Sequence, residues 1–285
     1  MEILINELSL DGSFEKLADF YDSLGEILKI QKLMQSSNAT FSKHHQLYTF
    51  KVTNDMSLHD AFRDKRSRSN NKIRRFKQLL YSLMSDPSFW HEDQRHKDTD
   101  QYTCQFTSET NGYSLAEACE RDKVVLSFEN ASFTDSILEI KKNGEVIDLI
   151  NIQEPLLLCD LLYEKSLIDA RVYCNHRFNG TNLSFEHLEE GYDFNILEED
   201  EEKAFISSFK MFSEMSWSAI LKSDGLDFKK YQPSKKDNWF LNTPYTNKQI
   251  YKFRTSQRFR CFGYREEDLF IVLRFERDHT ISDNG

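Results

Sequence analysis

Apolar and polar positions follow two different periods along this chain, and the switches between them mark its elements. Residues 3–10 (ILINELSL) are apolar with a strand-like pattern. After Asp11-Gly12-Ser13, Leu17, Phe20, Tyr21, Leu24, Ile27 and Leu28 recur at helical spacing and predict a helix over 14–34. Residues 46–52 (QLYTFKV) read as a strand, and 70–85 as an amphipathic helix stopped near Asp86-Pro87. Further on, 101–106 predicts a strand and 114–121 a short helix with a serine cap, while 124–128 (VVLSF) is apolar enough for a fully buried strand. Asn143-Gly144 sits between two β-prone arms, and a type I′ turn needs two residues that tolerate positive φ, so a hairpin is expected there. A leucine-rich helix follows Pro155. Phe205, Phe209 and Phe212 predict a helix over 201–216, followed by a second short helix after Trp217 and a polar loop over 223–247. Three closing strands are expected at 249–255, 257–263 and 268–275. The fold class is α+β, with a mixed N-terminal region (1–98), a β-rich middle region with a hairpin (99–200), and C-terminal helices followed by an antiparallel sheet (201–285).

Composition narrows this picture. The 285 residues include 23 Phe and 12 Tyr but only four Pro and nine Gly, enough for a real core and too few breakers for long linkers. The formal net charge of −10 argues against a general nucleic-acid coat. It leaves open a local basic patch, because charge interactions are short-ranged at physiological salt. The five cysteines have no CxxC spacing, which points to packed thiols in a cytoplasmic protein and away from a disulfide framework or cysteine zinc site. No basic leader is read at the N-terminus, and no window approaches the ~18 apolar residues of a membrane span.

Charge is unevenly placed. Residues 63–77 carry eight Lys/Arg against one Asp, and 189–202 carry eight acids in fourteen positions; the main boundary is expected at this acidic run. The stretch 251–279, YKFRTSQRFRCFGYREEDLFIVLRFERDH, carries six arginines on segments that read as strands. Strand alternation puts Lys252 and Arg254 on one face and Tyr251 and Phe253 on the other, and sets Arg258 and Arg260 opposite Phe259 and Cys261. A tight hairpin through Thr255-Ser256 would then gather four cations on one face. Guanidinium groups match phosphate oxygens bidentately, so an anion would relieve their repulsion. The opposing reading stays open. The cations would coat an outer face and pair with Glu266, Glu267, Asp268 and Glu276, or dock on the acidic run.

Helical segments, a loop, and then strands bearing Lys252-Phe253-Arg254, Arg258-Phe259-Arg260, Gly263-Tyr264-Arg265, the apolar LFIVLRF and Asp278-His279 resemble the RelE/HigB family of bacterial messenger-RNA-cleaving toxins. The resemblance covers residues 203–285 and leaves the first 200 residues without a counterpart. It implies metal-independent RNA cleavage, in which a base takes the 2′-OH proton, cations hold the phosphorane charge and an acid protonates the leaving 5′-oxygen. It assigns Arg254, Arg258, Arg260 and His279 to catalysis and Lys252, Tyr264, Arg265 and Arg274 to substrate binding, with Tyr264 as a stacking surface. His279 can equally be a frayed terminal histidine. The expected protein is a bacterial toxin or phage-defence ribonuclease whose first 200 residues sense, inhibit or bind a partner such as an antitoxin. The alternative is a non-catalytic interaction subunit that binds an acidic partner or nucleic acid.

Other candidates are weaker. His44-His45 and HEDQRH (91–96) invite a metal check, but His91 and His96 at i,i+5 suit no single helical face and no HExxH occurs, so neither a metal nor a cofactor is expected. CNHRFNG (174–180) reads as a surface loop. No Walker A, GxGxxG or GxSxG motif is present.

Overall fold

The computed structural model describes residues 1–64, 71, 74, 75, 78, 89–107, 110–234 and 236–282. The basic run at 63–77 and the helix expected over 70–85 lie largely outside the described residues. The class is α+β, with two mixed sheets. The chain divides into two compact units, Met1–Ile168 and Asp169–Gly285.

In the first unit the strands are β1 (Glu2–Asn6), β2 (Thr40–Ser42), β3 (Tyr102–Cys104), β4 (Val124–Ser127), β5 (Ile137–Lys142) and β6 (Glu145–Ile152), ordered β2-β1-β4-β6-β5-β3. β1 pairs parallel with both β2 and β4, and β4 with β6, whereas β5 pairs antiparallel with β6 and β3. Parallel neighbours need a long crossover, and the Leu17–Met34 helix supplies it between β1 and β2. That helix buries Phe20, Leu24, Ile27 and Ile30. Asn143 and Gly144 adopt φ of 51° and 91°, the left-handed pair that joins β5 to β6 in register. Segments 1–98 and 99–152 therefore share a single sheet. The expected strand at 46–52 is instead a 3-10 turn, Leu47–Thr49, and the β1 stretch bends into another at Glu7–Leu10. Ser114 is the first residue of the Ser114–Cys119 helix and not its cap.

In the second unit the helices are Ala170–Arg177, Glu199–Glu214 and Trp217–Ile220. The strands are β7 (Leu183–Ser184), β8 (Lys229–Lys230), β9 (Ile250–Arg254), β10 (Arg260–Glu266) and β11 (Leu269–Glu276), ordered β7-β11-β10-β9-β8. Residues 174–177 of the expected surface loop form the end of the first of these helices, with Cys174 buried. The acidic run at 189–202 lies inside this unit. Phe205, Phe209 and Phe212 cover one face of the sheet, with ring centroids 4.5 Å between Phe205 and Phe275, 4.9 Å between Phe212 and Phe253, and 5.6 Å between Phe212 and Phe270. Gly263 sits where β11 bulges, opposite Val272. A Cβ there would run into the Ile271 carbonyl oxygen and the Phe270 ring, so only glycine fits this close approach.

Candidate functional site

The opposite face of the second sheet carries the charge. Cross-strand register aligns Arg254 with Arg260 and Arg260 with Glu276 in one row, then Lys252 with Phe262 and Phe262 with Arg274 in the next. The alternation read from the sequence thus holds for Lys252, Arg254 and Arg260. It fails for Arg258. β10 begins only at Arg260, so Arg258 stands exposed in a five-residue connection, 255–259, instead of on a strand.

Deeper along this face the cations are enclosed and partnered. Arg274 is 5% exposed; its Nε and Nη2 each donate to a different oxygen of Glu189 at 2.8 Å, and its Nη1 donates to the Trp239 carbonyl at 2.6 Å. The rings of Tyr192, Phe240 and Trp239 surround the guanidinium at 4.4, 4.7 and 5.0 Å. Tyr264 is buried against Tyr245, with Lys248 over its ring at 4.6 Å, so its faces are already covered. Arg265 is instead exposed on the other face, with Phe212, where it stacks on Trp217 at 3.9 Å and donates to the Glu267 carbonyl. Lys252 is 3% exposed and donates through Nζ to the Ser282 carbonyl at 2.6 Å; burial lowers its pKa, and Lys229 adds to this. The four residues assigned to substrate binding by the resemblance are therefore occupied within the fold. Arg277 bonds Glu198 and Glu201, so part of the charge does dock on the acidic run.

The four residues assigned to catalysis gather at one end of the sheet. Arg254 and Arg260 are direct cross-strand neighbours, a like-charge pairing that is unfavourable by itself. Asp227, 3.3 Å from Arg254 Nη2, offsets it. Burial works to raise the Asp227 pKa, but Lys229, Arg254 and Arg260 hold it below the usual carboxylate range. Arg254 Nε is buried and has no acceptor among the described residues. Arg260 donates through Nη1 to the carbonyls of Ser256 and Phe259 at 3.0 and 2.9 Å, and through Nη2 to His279 Nε2. A guanidinium only donates, so Nε2 must accept. The proton of His279 then lies on Nδ1, 2.9 Å from Ser282 Oγ. His279 turns the chain at φ 68°, a left-handed conformation uncommon outside glycine. Glu276, 3% exposed, accepts from the amides of Ile281 and Ser282 at 2.5 and 2.9 Å, while its Oε2 has no partner among the described residues.

Sequence reasoning missed Asp227 and Ser282 as partners of this face, whereas Glu189 on Arg274 belongs to the acidic run that it named as one dock for these cations. Each is distant in sequence from its cation, and no short-range pattern could have paired them.

The first unit has its own buried polar cluster. Glu7, fully buried at the end of β1, accepts from the Ser114 amide at 2.8 Å, and Trp90 Nε1 donates to Ser114 Oγ at 2.9 Å. Burial raises the Glu7 carboxyl to about 7. His91 and His96 separate. His96 is buried against Glu117 at 2.6 Å, whereas His91 lies with His45, ring centroids 4.3 Å apart. His44 is pushed down to about 4 by burial and then by the neighbouring histidines. Among the described residues no three His, Cys, Asp or Glu side chains converge on a metal position. No helix is long and apolar enough to cross a membrane among them either.

The chain matches no family model, no curated protein and no solved structure.

Proposed function

We propose that the second unit is a ribonuclease of the toxin or phage-defence kind that binds an RNA phosphodiester at the Arg254–Arg260 end of its sheet and cleaves it with His279. The observation that carries this is the meeting of Arg254, Arg260 and His279 from three separate segments, with Arg258 exposed beside them. A buried Arg254 Nε–H without an acceptor among the described residues is the kind of donor that a phosphate oxygen satisfies.

The chemistry follows from the proton positions. When substrate draws Arg260 onto a phosphate oxygen, the Nε2 lone pair of His279 is released and takes the 2′-OH proton. The 2′-oxygen attacks the adjacent phosphorus, and Arg254, Arg258 and Arg260 meet the charge that builds on the non-bridging oxygens. The P–O5′ bond breaks, and the imidazolium just formed is the nearest acid for the departing oxygen. The products are a 2′,3′-cyclic phosphate and a 5′-hydroxyl. On this reading the protein works in the bacterial cytoplasm, without a metal ion, as the toxin resemblance implies. The first unit is its regulatory or partner-binding part.

The test is incubation of the full chain with a labelled single-stranded RNA. Fragments ending in 2′,3′-cyclic phosphate are expected, made equally well in EDTA. Arg258→Ala should slow cleavage by about 100-fold, the usual effect of losing one donor to a developing oxyanion. His279→Asn, which tolerates positive φ, should abolish cleavage with binding retained. No cyclic-phosphate ends from the wild type, or wild-type rates in both variants, would sink the reading.

A second reading rests on the same site. Arg260 is already held by main-chain carbonyls and His279, which suits a surface that binds an acidic partner or nucleic acid without cutting. It predicts salt-dependent RNA binding with no cleavage.

A further inference from the structure

The turn of residues 278–282, which follows β11, lies on the cations that the proposed site needs. The Ser282 carbonyl oxygen is on Lys252 Nζ at 2.6 Å, and the His279 imidazole is on Arg260. Both ligands are electron-rich atoms set where an anion's oxygens would otherwise go. The turn is itself anchored from below: Glu276 accepts from the Ile281 and Ser282 amides at 2.5 and 2.9 Å, and Ser282 Oγ bonds His279 Nδ1. Lys252, Arg260 and Glu276 are each 5% exposed or less. With the turn closed, an incoming phosphate can reach Arg254 and Arg258 but not Lys252, and it reaches Arg260 only by displacing His279.

Building on the RNA-binding reading above, we propose that this turn is an internal pseudo-ligand, a latch that covers half of the anion site and opens when RNA takes its place. Opening does two things at once. It adds Lys252 and Arg260 to the phosphate contacts, and it strips the guanidinium from His279 Nε2, so that the base is created only when substrate is present. This couples cleavage to correct binding by induced fit. A ligand whose binding-competent state is a minor one binds more weakly by the fraction of molecules that are open.

Glu276 gives the latch a handle outside the phosphate-binding set. Glu276→Gln removes the charge but keeps an acceptor for the two amides; Glu276→Ala removes both. Comparing these two variants cancels the purely electrostatic gain and leaves the latch. Binding of a fluorescent single-stranded RNA 12-mer to the full chain, followed by anisotropy, should be at least about tenfold tighter for Glu276→Ala than for Glu276→Gln. His279→Gly, which fits the positive φ without strain, should also bind more tightly than wild type. It keeps the test decisive if Glu276→Ala does not fold. In the wild type, the Ile281 and Ser282 amides should exchange slowly and lose protection when the 12-mer binds. Equal affinities in all the folded variants, with unchanged protection at 281–282 under saturating RNA, overturn the latch alone and leave the RNA-binding reading standing. Failure of wild type and every folded variant to bind the 12-mer overturns both.

Discussion

Arg274 separates a structural cation from a substrate ligand, because the toxin resemblance and the fold give it opposite roles. Its guanidinium makes three charge-assisted hydrogen bonds, two to Glu189 and one to the Trp239 carbonyl, inside a cage of three rings. Arg274→Ala strands Glu189 and empties the cage. Removing one partner of a buried pair costs about 3–5 kcal/mol. The Glu189 side chain is 26% exposed, so solvent screens part of the stranded charge and the lower end applies, about 3 kcal/mol after that discount. For a unit of this size the midpoint should fall by roughly 10–15 °C. Arg274→Lys keeps the charge but not the two-pronged geometry and should lose about half as much stability. The assay is thermal unfolding of the full chain followed by tryptophan fluorescence, which reports on Trp239 beside the cage, paired with RNA binding measured well below the midpoint. Folded Arg274→Ala should bind RNA like wild type. A midpoint within about 2 °C of wild type together with lost RNA binding would refute the reasoning and make Arg274 a ligand.

Two further outcomes follow from the geometry. Glu7 titrates near 7 when folded, against 4.5 for an ordinary glutamate, so the folded state holds its proton more tightly than the unfolded chain. Its contribution is therefore full below pH 4.5 and is lost as pH rises through 7; the first unit should lose about 3 kcal/mol between pH 4 and 8 from this group. Glu7→Gln should flatten that slope, measured as hydrogen exchange at Leu4 and Val125 corrected for intrinsic rates; an unchanged slope would rule the group out as its source. Gly263→Ala should destabilise the second unit by more than about 3 kcal/mol, or prevent its folding, because the obstacle is partly backbone and cannot rotate away. A soluble variant with a wild-type melting curve would contradict the close packing of β10 on β11.

Much of the local structure was legible in the sequence because it rests on local physics. Helical spacing of Phe205, Phe209 and Phe212, the paired positive-φ demand met by Asn143-Gly144, and strand alternation at Lys252 and Arg254 each act within a few residues. Alternation misplaced Arg258, since nothing nearby marks where the β9–β10 connection ends and β10 begins. The strand expected at 46–52 gave way to a 3-10 turn, where the pattern of apolar residues is too short to outweigh tertiary contacts.

By itself, then, the sequence determined the α+β class, most of the elements and the alternation that puts Lys252, Arg254 and Arg260 on one sheet face. What those cations do was decided only by tertiary structure. Glu189 reaches Arg274 across 85 positions, Asp227 reaches Arg254 across 27 and His279 reaches Arg260 across 19. Strand period fixes which way a side chain points, because it is set by backbone geometry one residue at a time. Whether that side chain meets solvent, a carboxylate or a returning turn depends on contacts between segments far apart in the chain, and these form only when the whole unit closes.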